Sequence, residues 1–420
     1  MYQQKFVANA TSYFMNHYTK RYLSVQNPSE SGLPAASSNK KYLLYMHVPF
    51  CVMFCPYCSF NKFTYTKEAS VKYFKRLKEE LLHVKSLGYE FNYLVIGGGT
   101  PLIDDEELIS AIELAKKLFN IGHVSCESDP NHIEVETVKK LVGLVDRLSI
   151  GVQTFDDALL KKLGRYDKFG SGDVVYEKID KMLGILPMTS VDLIFNFPTQ
   201  TKEGLLYDLD MLQKLNPEQT SIYPLMTSSM TKNKVKSSLG KFSMDNEYIY
   251  FQLIKDTLKQ SYPAQHGWSF SKVDTRMIDE YVIDNEEYVG IGSGAFSFLN
   301  ETLYLNEFAL DKYDELIATK HSAVIKERTF PRKSQMYYRM MVDLFNNKLS
   351  KKRFENTFGI SINKALNKEL AMLKFAKAIQ EDESFITTTE FGSYLFMMMM
   401  KEFYMGMDII RATERKKLSL

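Results

Sequence analysis

Residues 45–60 read YMHVPFCVMFCPYCSF, and this stretch decides the fold and chemistry that we expect of the 420-residue chain. It holds Cys51, Cys55 and Cys58, three of the four cysteines in the sequence, in the spacing C-x3-C-x2-C. Thiolates are soft donors that suit iron, so three of them in one short loop predict an iron–sulfur cluster. Because a four-iron cube held by three protein ligands keeps one iron open, the loop also predicts a site for a further ligand.

Other interpretations of these cysteines are weaker. A structural zinc site takes four closed ligands, usually as two separated pairs, whereas here only His47 lies nearby and Cys126 stands alone downstream. A disulfide is disfavoured because the chain has few cysteines and no secretory signal. Three unrelated buried cysteines are the remaining alternative, although cysteines rarely cluster so closely without a reason.

Size and composition set the class of protein. The chain is long enough for one large α/β domain with a smaller appendage, and its apolar (45%) and charged (25%) fractions are ordinary for a globular protein. The net charge of +2 implies no strong general attraction to nucleic acid or anionic membranes. Residues 1–14 do not resemble a signal peptide, and no uncharged run is long enough to span a bilayer. We therefore expect a cytoplasmic protein, which agrees with the reducing setting that a cluster needs.

From Tyr42 onward, a short apolar strand, a loop and an amphipathic helix alternate. This alternation predicts parallel strands joined by right-handed crossovers, six of which can curl into a partial (β/α)6 barrel of TIM type. Functional loops then sit at the C-terminal ends of the strands, and the cysteine loop follows the first strand. The predicted strands begin at Tyr42, Tyr93, His123, Arg147, Ser190 and Thr220, and the predicted helices lie near Lys67–Leu87, Asp105–Phe119, Ile133–Leu144, Ser171–Leu183 and Lys202–Leu215.

The cysteine spacing resembles that of the radical S-adenosylmethionine (SAM) enzymes. The run YMHVPFC, which begins at Tyr45, is similar to the Y-x-H-x-P-F-C run of the oxygen-independent coproporphyrinogen III oxidase (HemN/HemW-like) branch. The resemblance implies a 4Fe-4S cluster on Cys51, Cys55 and Cys58, whose open iron is chelated by SAM. It also implies that an electron from the cluster cleaves SAM to methionine and a 5′-deoxyadenosyl radical, and that Tyr57 packs near the adenine.

Further motifs carry the same resemblance. The run Gly97-Gly98-Gly99-Thr100-Pro101 lets a backbone approach a ligand closely with its N–H groups exposed, and it is similar to the family's GGGTP segment. Taken alone, a glycine run is more typical of a tight turn, Glu127 is an ordinary strand-end carboxylate, and Arg165, which follows a helix, is a solvated charge. The resemblance assigns Tyr45, Gly98, Gly99, Thr100 and Glu127 to one bound SAM, and Gln153, Arg165 and Asp192 to the same or a second SAM.

The C-terminal half carries the elements expected near a substrate. Tyr288–Leu299 (YVGIGSGAFSFL) is similar to the family's GxGxGAxS element, within which Phe296 is assigned as a cofactor contact. Thr227–Gly240 is predicted to be a polar, mobile loop over the barrel mouth. Trp268 either lines a planar site or is packed, and a special role for His266 is the less favoured interpretation. Met397–Met400 are expected to form a packing face, with a tetrapyrrole-contacting surface as the alternative.

We predict three segments: an N-terminal extension (1–41), a radical SAM core (42–325) and a C-terminal winged-helix-like appendage (326–420). The resemblance implies radical chemistry on a tetrapyrrole, with a reduced flavodoxin- or ferredoxin-type electron donor and no nucleic acid. Phe60 stands where coproporphyrinogen oxidases have a further cysteine, and His266-Gly267-Trp268 departs from the heme chaperones' His-Asn-x-x-Tyr-Trp. Anaerobic heme-degrading methyltransferases remain compatible. A heme-binding chaperone is the competing class, and a zinc-stabilised scaffold is a third.

Overall fold

A computed structural model describes residues 7–15, 17, 23–30, 32–37, 40–272 and 287–417. All six predicted strands are present, and three of them, at Tyr42, His123 and Arg147, have the predicted bounds. The strands are β1 (Tyr42–Val48), β2 (Phe50–Cys51), β3 (Phe63–Thr64), β4 (Phe91–Gly98), β5 (His123–Ser128), β6 (Arg147–Gln153), β7 (Met188–Phe195), β8 (Gln219–Pro224), β9 (Ser269–Ser271), β10 (Tyr288–Ile291), β11 (Phe296–Leu299), β12 (Thr302–Asn306), β13 (Val324–Thr329), β14 (Lys348–Ser350), β15 (Ile379–Glu381) and β16 (Phe385–Thr388).

Helices follow most strands of the first half, and a 3₁₀ turn (Pro101–Asp104) precedes the second long helix. The helices are α1 (residues 7–15), α2 (Lys67–Ser86), α3 (Asp105–Leu118), α4 (Val135–Lys139), α5 (Asp157–Lys162), α6 (Tyr166–Phe169), α7 (Gly172–Met182), α8 (Lys202–Leu215), α9 (Lys232–Leu239), α10 (Glu247–Leu258), α11 (Leu310–Lys320), α12 (Arg332–Phe345), α13 (Lys351–Phe358), α14 (Ile362–Ala365), α15 (Asn367–Phe375) and α16 (Glu390–Lys417).

Six parallel strands form the centre of an 11-stranded sheet, in the order β1-β4-β5-β6-β7-β8. Strand β10 pairs parallel to β1 on the other side, and β11, β12 and β13 continue antiparallel from it. The sheet ends at β9 and β13, which are not paired with each other, so the barrel is partial. This arrangement confirms the predicted fold class and places the cysteine loop at the C-terminal end of β1.

The two faces of the parallel strands differ in chemistry because successive side chains alternate in direction. Apolar residues such as Leu44, Leu94 and Ile150 are fully buried in the main core cluster with the apolar faces of the helices. On β6, β7 and β8 the other face is polar: Arg147 donates from Nε to Oε1 of Gln219 at 2.6 Å. On β1 and β4 it is apolar, because Leu43 and Val95 pack in a second cluster with Met407 of α16. The polar part of the inner face is suited to bind a charged cofactor.

Two predicted local structures are wrong. The helix predicted over Ile133–Leu144 is reduced to α4, because the following residues tighten into i→i+3 turns and Gly143 takes a φ of +80°. The polar loop predicted over Thr227–Gly240 contains α9, whose Val235 and Leu239 are buried in a small apolar cluster beside Tyr57. This segment is therefore anchored by packing.

The C-terminal part combines helices with a three-stranded sheet in the order β14-β16-β15, and α16 packs on α12. Trp268 is buried against Phe345, with their ring centroids 4.5 Å apart, so it is packed as expected. Met397, Met398 and Met400 are fully buried, which confirms the packing face. The segment boundaries at 41/42 and 325/326 stay predictions, and strand β13 runs across the second. Among the described residues, no helix has an apolar stretch able to cross a membrane.

Candidate cluster and cofactor site

The cysteine loop is closed by a short parallel pair of strands at its base. The N–H of Phe63 donates to the carbonyl oxygen of Pro49 at 2.6 Å, and the N–H of Tyr65 donates to that of Cys51 at 3.1 Å. Within the loop, Cys51 is buried, whereas Cys55 and Cys58 are half-buried. The loop therefore presents its three thiols beside the mouth of the partial barrel.

The thiols do not form a preassembled site for a single ion. Across the part of the chain that the structure describes, no group of three or more His, Cys, Asp or Glu side chains is arranged to hold one metal ion. This geometry is compatible with a cluster, because sulfurs at different corners of an iron–sulfur cube lie farther apart than the ligands of one ion. The donor set of three thiols in one loop fits a 4Fe-4S cluster.

Cations surround the thiols and favour their deprotonated form. Arg165, a buried residue just before α6, donates from Nη1 to the sulfur of Cys55 at 3.4 Å and to the hydroxyl of Tyr57 at 3.1 Å. Burial opposes ionisation of Cys55, but the charge and hydrogen bond of Arg165 lower its pKa below the usual value. Burial raises the pKa of Cys51 to about 11. Arg165 is thus placed to stabilise the negative charge of the Cys55 thiolate and of a group that the thiolates bind.

The glycine run at the end of β4 packs directly on the cysteine loop. Gly99 donates its N–H to Val48 at 2.8 Å, and a Cβ added to Gly99 would lie 2.4 Å from the carbonyl oxygen of Phe50. Gly98, with a φ of +120°, donates its N–H to Oε2 of Glu127 at 3.1 Å. The predicted exposure of these N–H groups is therefore wrong: the protein itself uses them. A ligand amino group at this place would instead need acceptors, of which Glu127 is one.

Asp129 is a central residue that the sequence interpretation passed over. It accepts a hydrogen bond from Oγ1 of Thr100 at 3.2 Å, from Nζ of Lys168 at 2.9 Å and from Nδ1 of His132 at 2.6 Å. Burial favours its neutral form, yet the His132 and Lys168 partners hold its pKa below the usual range. Asp129 thereby connects the glycine run to the helix that carries Lys168. The available signal was a carboxylate before proline at the end of a predicted strand.

Tyr45 and His47 continue the site into the barrel. Nε2 of His47 lies 2.9 Å from the carbonyl oxygen of Asn61, so this nitrogen carries the proton, and Nδ1 accepts from the hydroxyl of Tyr45 at 3.0 Å. Burial lowers the pKa of His47 to about 4, so the ring is neutral at pH 7. Burial also raises the pKa of Tyr45. This neutral pair fixes the cysteine loop, through Asn61, to the first strand.

Gln153 and Asp192 lie on neighbouring strands of the inner face. Gln153 has a φ of +76° where the pairing of β6 with β7 shifts, which turns its side chain at the strand end. Arg165 reaches the same bulge and donates from Nη2 to the carbonyl oxygen of Gly151. Asp192 accepts hydrogen bonds from the hydroxyl of Ser149 at 2.8 and 2.9 Å. The structure thus brings Gln153 and Arg165 together, whereas Asp192 is held within the polar inner layer.

A buried carboxylate holds the substrate-proximal turn in place. Glu80 on α2 accepts hydrogen bonds from the N–H of Gly292 at 2.7 Å, from Nδ2 of Asn306 at 2.9 Å and from the hydroxyl of Tyr313 at 2.6 Å. The turn joins β10 to β11, whose first residue is Phe296. Glu80 therefore positions the glycine-rich element from the helix side of the sheet.

Two arginines of α16 also reach the site, and no motif of the sequence predicted them. The guanidinium carbon of Arg411 lies 5.1 Å from the ring centroid of Phe296 and 5.4 Å from that of Phe60. That of Arg415 lies 5.9 Å from the ring of Phe63. The end of the C-terminal helix therefore forms part of the wall beside the cysteine loop.

A cavity of about 800 Å³ lies beside the N-terminal ends of β1 and β10, where Lys40 and Glu287 line it together with residues of α12 and α16. Its lining is mostly methionine and aromatic, and Tyr288, Phe298 and Met407 connect it to the apolar cluster that packs on Tyr45. Met399 also lines the cavity, so this one residue of Met397–Met400 lies outside the packing face. A volume of this size is in the range of cavities that bind cofactors and other small molecules.

A thiol trio at the C-terminal end of the first strand of a six-stranded parallel partial barrel defines the class of radical SAM proteins. The family model described as "Radical SAM superfamily" matches residues 45–212. The chain therefore contains a radical SAM domain, and the relatives that it matches along most of its length are named HemW and oxygen-independent coproporphyrinogen III oxidase. The family implies a 4Fe-4S cluster and SAM.

The relatives within this group carry two different names. Heme chaperone HemW of Bacillus subtilis is 27% identical over 84% of this chain and 96% of its own length. Oxygen-independent coproporphyrinogen III oxidase of Helicobacter pylori is 27% identical over 83% of each chain. In fold, the chain is similar to coproporphyrinogen III oxidase (HemN) from Escherichia coli, with a TM-score of 0.74 and 20% identity over 89% of this chain and 91% of that one.

Proposed function

We propose that the protein binds a 4Fe-4S cluster through Cys51, Cys55 and Cys58 and cleaves SAM reductively to act on a tetrapyrrole. One observation carries the proposal: three thiols of one loop lie at the active end of the strands, with the buried Arg165 donating to one of them. A redox cofactor supplies the radical chemistry, while the protein orients the reactants and excludes water and oxygen. Bound here, the cluster would supply the electron that breaks the sulfonium bond of SAM.

The chain's own residues divide the remaining tasks. Glu127 accepts hydrogen bonds at the glycine run and is suited to bind the amino group of SAM. Arg165 keeps Tyr57 and the bulge at Gly151 in place and offers a cation for the SAM carboxylate. The assigned cofactor contacts stay predictions, and they are Tyr45, Tyr57, Gly98, Gly99, Thr100, Glu127, Gln153, Arg165, Asp192 and Phe296.

The tetrapyrrole is proposed from the relatives' names and the cavity. A largely apolar space of about 800 Å³ is large enough for a flat ligand of this kind. Phe60 stands at the position where the oxidases have a further cysteine, and it is 41% exposed. This chain therefore has no thiol at that position. This departure disfavours propionate decarboxylation and leaves methyl transfer with ring opening of heme as a reaction of the same class. A flavodoxin- or ferredoxin-type donor and a cytoplasmic location belong to this proposal.

A heme-binding chaperone is the second candidate, because relatives aligned along most of the chain are named HemW. His266 is the candidate axial ligand by its position near Trp268. It is buried, and its ring centroid lies 4.9 Å from that of Phe345. Heme ligation by His266 would therefore require α12 to move away, which disfavours this histidine as the entry point for heme.

Anaerobic reconstitution tests the proposed chemistry. We expect the wild-type protein to bind iron and sulfide in a four-to-four ratio, to change its electron paramagnetic resonance spectrum when SAM is added, and to release 5′-deoxyadenosine under a strong reductant. Replacing Cys51, Cys55 or Cys58 by serine should abolish all three properties. Cys126→Ser is the matched control, because Cys126 is buried on the helix-facing side of β5. This substitution should leave all three properties intact. Iron retention in the triple serine variant would refute the assignment.

Product masses then identify the reaction. Coproporphyrinogen III that loses two carboxyl groups would identify a decarboxylase, and heme that gains a methyl group would identify a methyltransferase. Heme that is bound and transferred to an apo-acceptor without a mass change would support the chaperone.

A further inference from the structure

We propose that Asp208 on α8 is a positioning residue that holds Gln153 in the orientation in which it contacts SAM. The inference rests on the proposed function, because that function assigns Gln153 to bound SAM. It adds a carboxyl group from the helix layer of the barrel, a residue that belongs to none of the motifs assigned to the SAM site.

The first support is the backbone of Gln153. Its φ of +76° lies in the left-handed region, which is unfavourable for a residue with a Cβ, so the surrounding structure must hold it there. Gln153 also stands where the pairing of β6 with β7 shifts, so the strand ladder does not continue regularly through it. A return of this φ to a negative value would redirect the side chain. The orientation of Gln153 therefore depends on what fixes the residues after it.

The second support is the set of hydrogen bonds that fixes the next two residues. Oδ1 of Asp208 accepts from the N–H of Phe155 at 2.6 Å, and both carboxyl oxygens of Asp208 lie 2.9 Å from the hydroxyl of Thr154. Asp208 is 1% exposed and both partners are buried too, so water competes little for these hydrogen bonds. Asp208 thus anchors the chain immediately after the left-handed residue.

The third support is the location of the Gln153 side chain. A Cβ added to Gly151 would lie 2.7 Å from Nε2 of Gln153, so the side-chain amide folds back over Gly151. The carbonyl oxygen of Gly151 accepts from Arg165, which also donates to the sulfur of Cys55. The amide and the guanidinium that contacts the cysteine loop therefore share Gly151 as a neighbour. Asp208 controls one side of this arrangement from α8.

A double-mutant cycle tests whether Asp208 acts through Gln153. SAM affinity of the full-length, cluster-loaded protein is measured by anaerobic equilibrium dialysis at pH 8, where Asp208 is mostly ionised because burial raises its pKa only to about 7. We expect Asp208→Ala and Gln153→Ala each to weaken SAM binding about 3- to 10-fold, the range for one lost hydrogen bond between neutral groups. The double variant should bind SAM no more weakly than Gln153→Ala alone.

Three further variants complete the comparison. Asp208→Asn keeps an acceptor for the N–H of Phe155 and should retain most of the SAM affinity. Thr154→Val removes one partner of Asp208 with little change in shape, and it replaces Asp208→Ala in the cycle if that variant does not fold. Asp210→Ala is the matched control, because Asp210 lies on the same helix with a side chain that is 56% exposed, and it should bind SAM like the wild type.

Two results would overturn the inference. Equal losses from Asp208→Ala with and without the Gln153 side chain would mean that Asp208 only stabilises the fold. Unchanged SAM affinity in folded Asp208→Ala or in Gln153→Ala would mean that this contact does not determine SAM binding, while the SAM chemistry itself stands. Failure of the proposed function appears separately, as a wild-type protein that lacks iron or does not bind SAM.

Discussion

Replacing Glu80 by glutamine tests whether burial or hydrogen bonding controls the carboxylate behind the substrate-proximal turn. The side chain is buried and surrounded by three donors, from Gly292, Asn306 and Tyr313. Burial favours the neutral acid, whereas the donors favour the carboxylate. Burial prevails and raises the pKa of Glu80 from 4.5 to about 7.

The sign and size of the effect on stability follow from proton linkage. A carboxyl group whose pKa is higher in the folded state stabilises the protein at low pH, and this contribution is lost as the pH rises through the folded pKa. For pKa values of 4.5 unfolded and about 7 folded, the loss between pH 5 and pH 8 is about 2.5 kcal/mol. For a chain of 420 residues, this corresponds to a change of about 3 °C in the melting temperature.

The assay is thermal unfolding of the wild type and Glu80→Gln at both pH values, compared as a difference so that groups shared by the two proteins cancel. We expect the advantage of the wild type over Glu80→Gln to be about 3 °C larger at pH 5 than at pH 8. Glu79→Gln, at the half-buried neighbouring position, should show no such pH-dependent difference. An advantage that grows toward pH 8 would refute the reasoning, because it would mean that the three donors keep Glu80 ionised throughout.

Two further perturbations address the cofactor side. Gly99→Ala should lower SAM affinity, measured by equilibrium dialysis, at least tenfold, because its Cβ would lie 2.4 Å from the carbonyl oxygen of Phe50. Gly204→Ala is the control and should bind SAM normally, because its Cβ would meet no atom closer than 3.5 Å. Arg165→Gln should raise the pKa of the Cys55 thiol, so that the apo-protein is alkylated more slowly at pH 7 and takes up iron less completely. Lys162→Gln, on the exposed side of α5, is the control. An unchanged alkylation rate in Arg165→Gln would contradict the role assigned to Arg165.

Much of the fold could be predicted because local signals agree with the final structure. Helix α8 has the predicted bounds, since Thr201 caps its first turn and Asn216 ends it in a left-handed conformation. The helix predicted at Ile133 failed because its apolar spacing continued past Gly143, which the chain uses to turn. Helix α9 was missed because polar residues dominate its segment, although Val235 and Leu239 have helical spacing.

The site was predictable where its residues follow strands and not where distant segments meet. Cys51, Glu127 and Gln153 stand at or near strand ends, so the parallel topology alone brings them to one edge of the sheet. The position of Asp129 at the end of a predicted strand was visible in the sequence. Its ion pair with Lys168 is a tertiary contact that the sequence does not reveal. Arg411 reaches the site through the packing of α16, a tertiary contact that no local pattern of the sequence encodes.

The route of α16 has a consequence for how the protein is made. The cysteines leave the ribosome early, while the arginines that flank their loop belong to the last helix that the structure describes. The wall beside the thiols can form only after synthesis has passed Arg415. Until then, the three thiols lack the arginines that flank their loop in the folded protein.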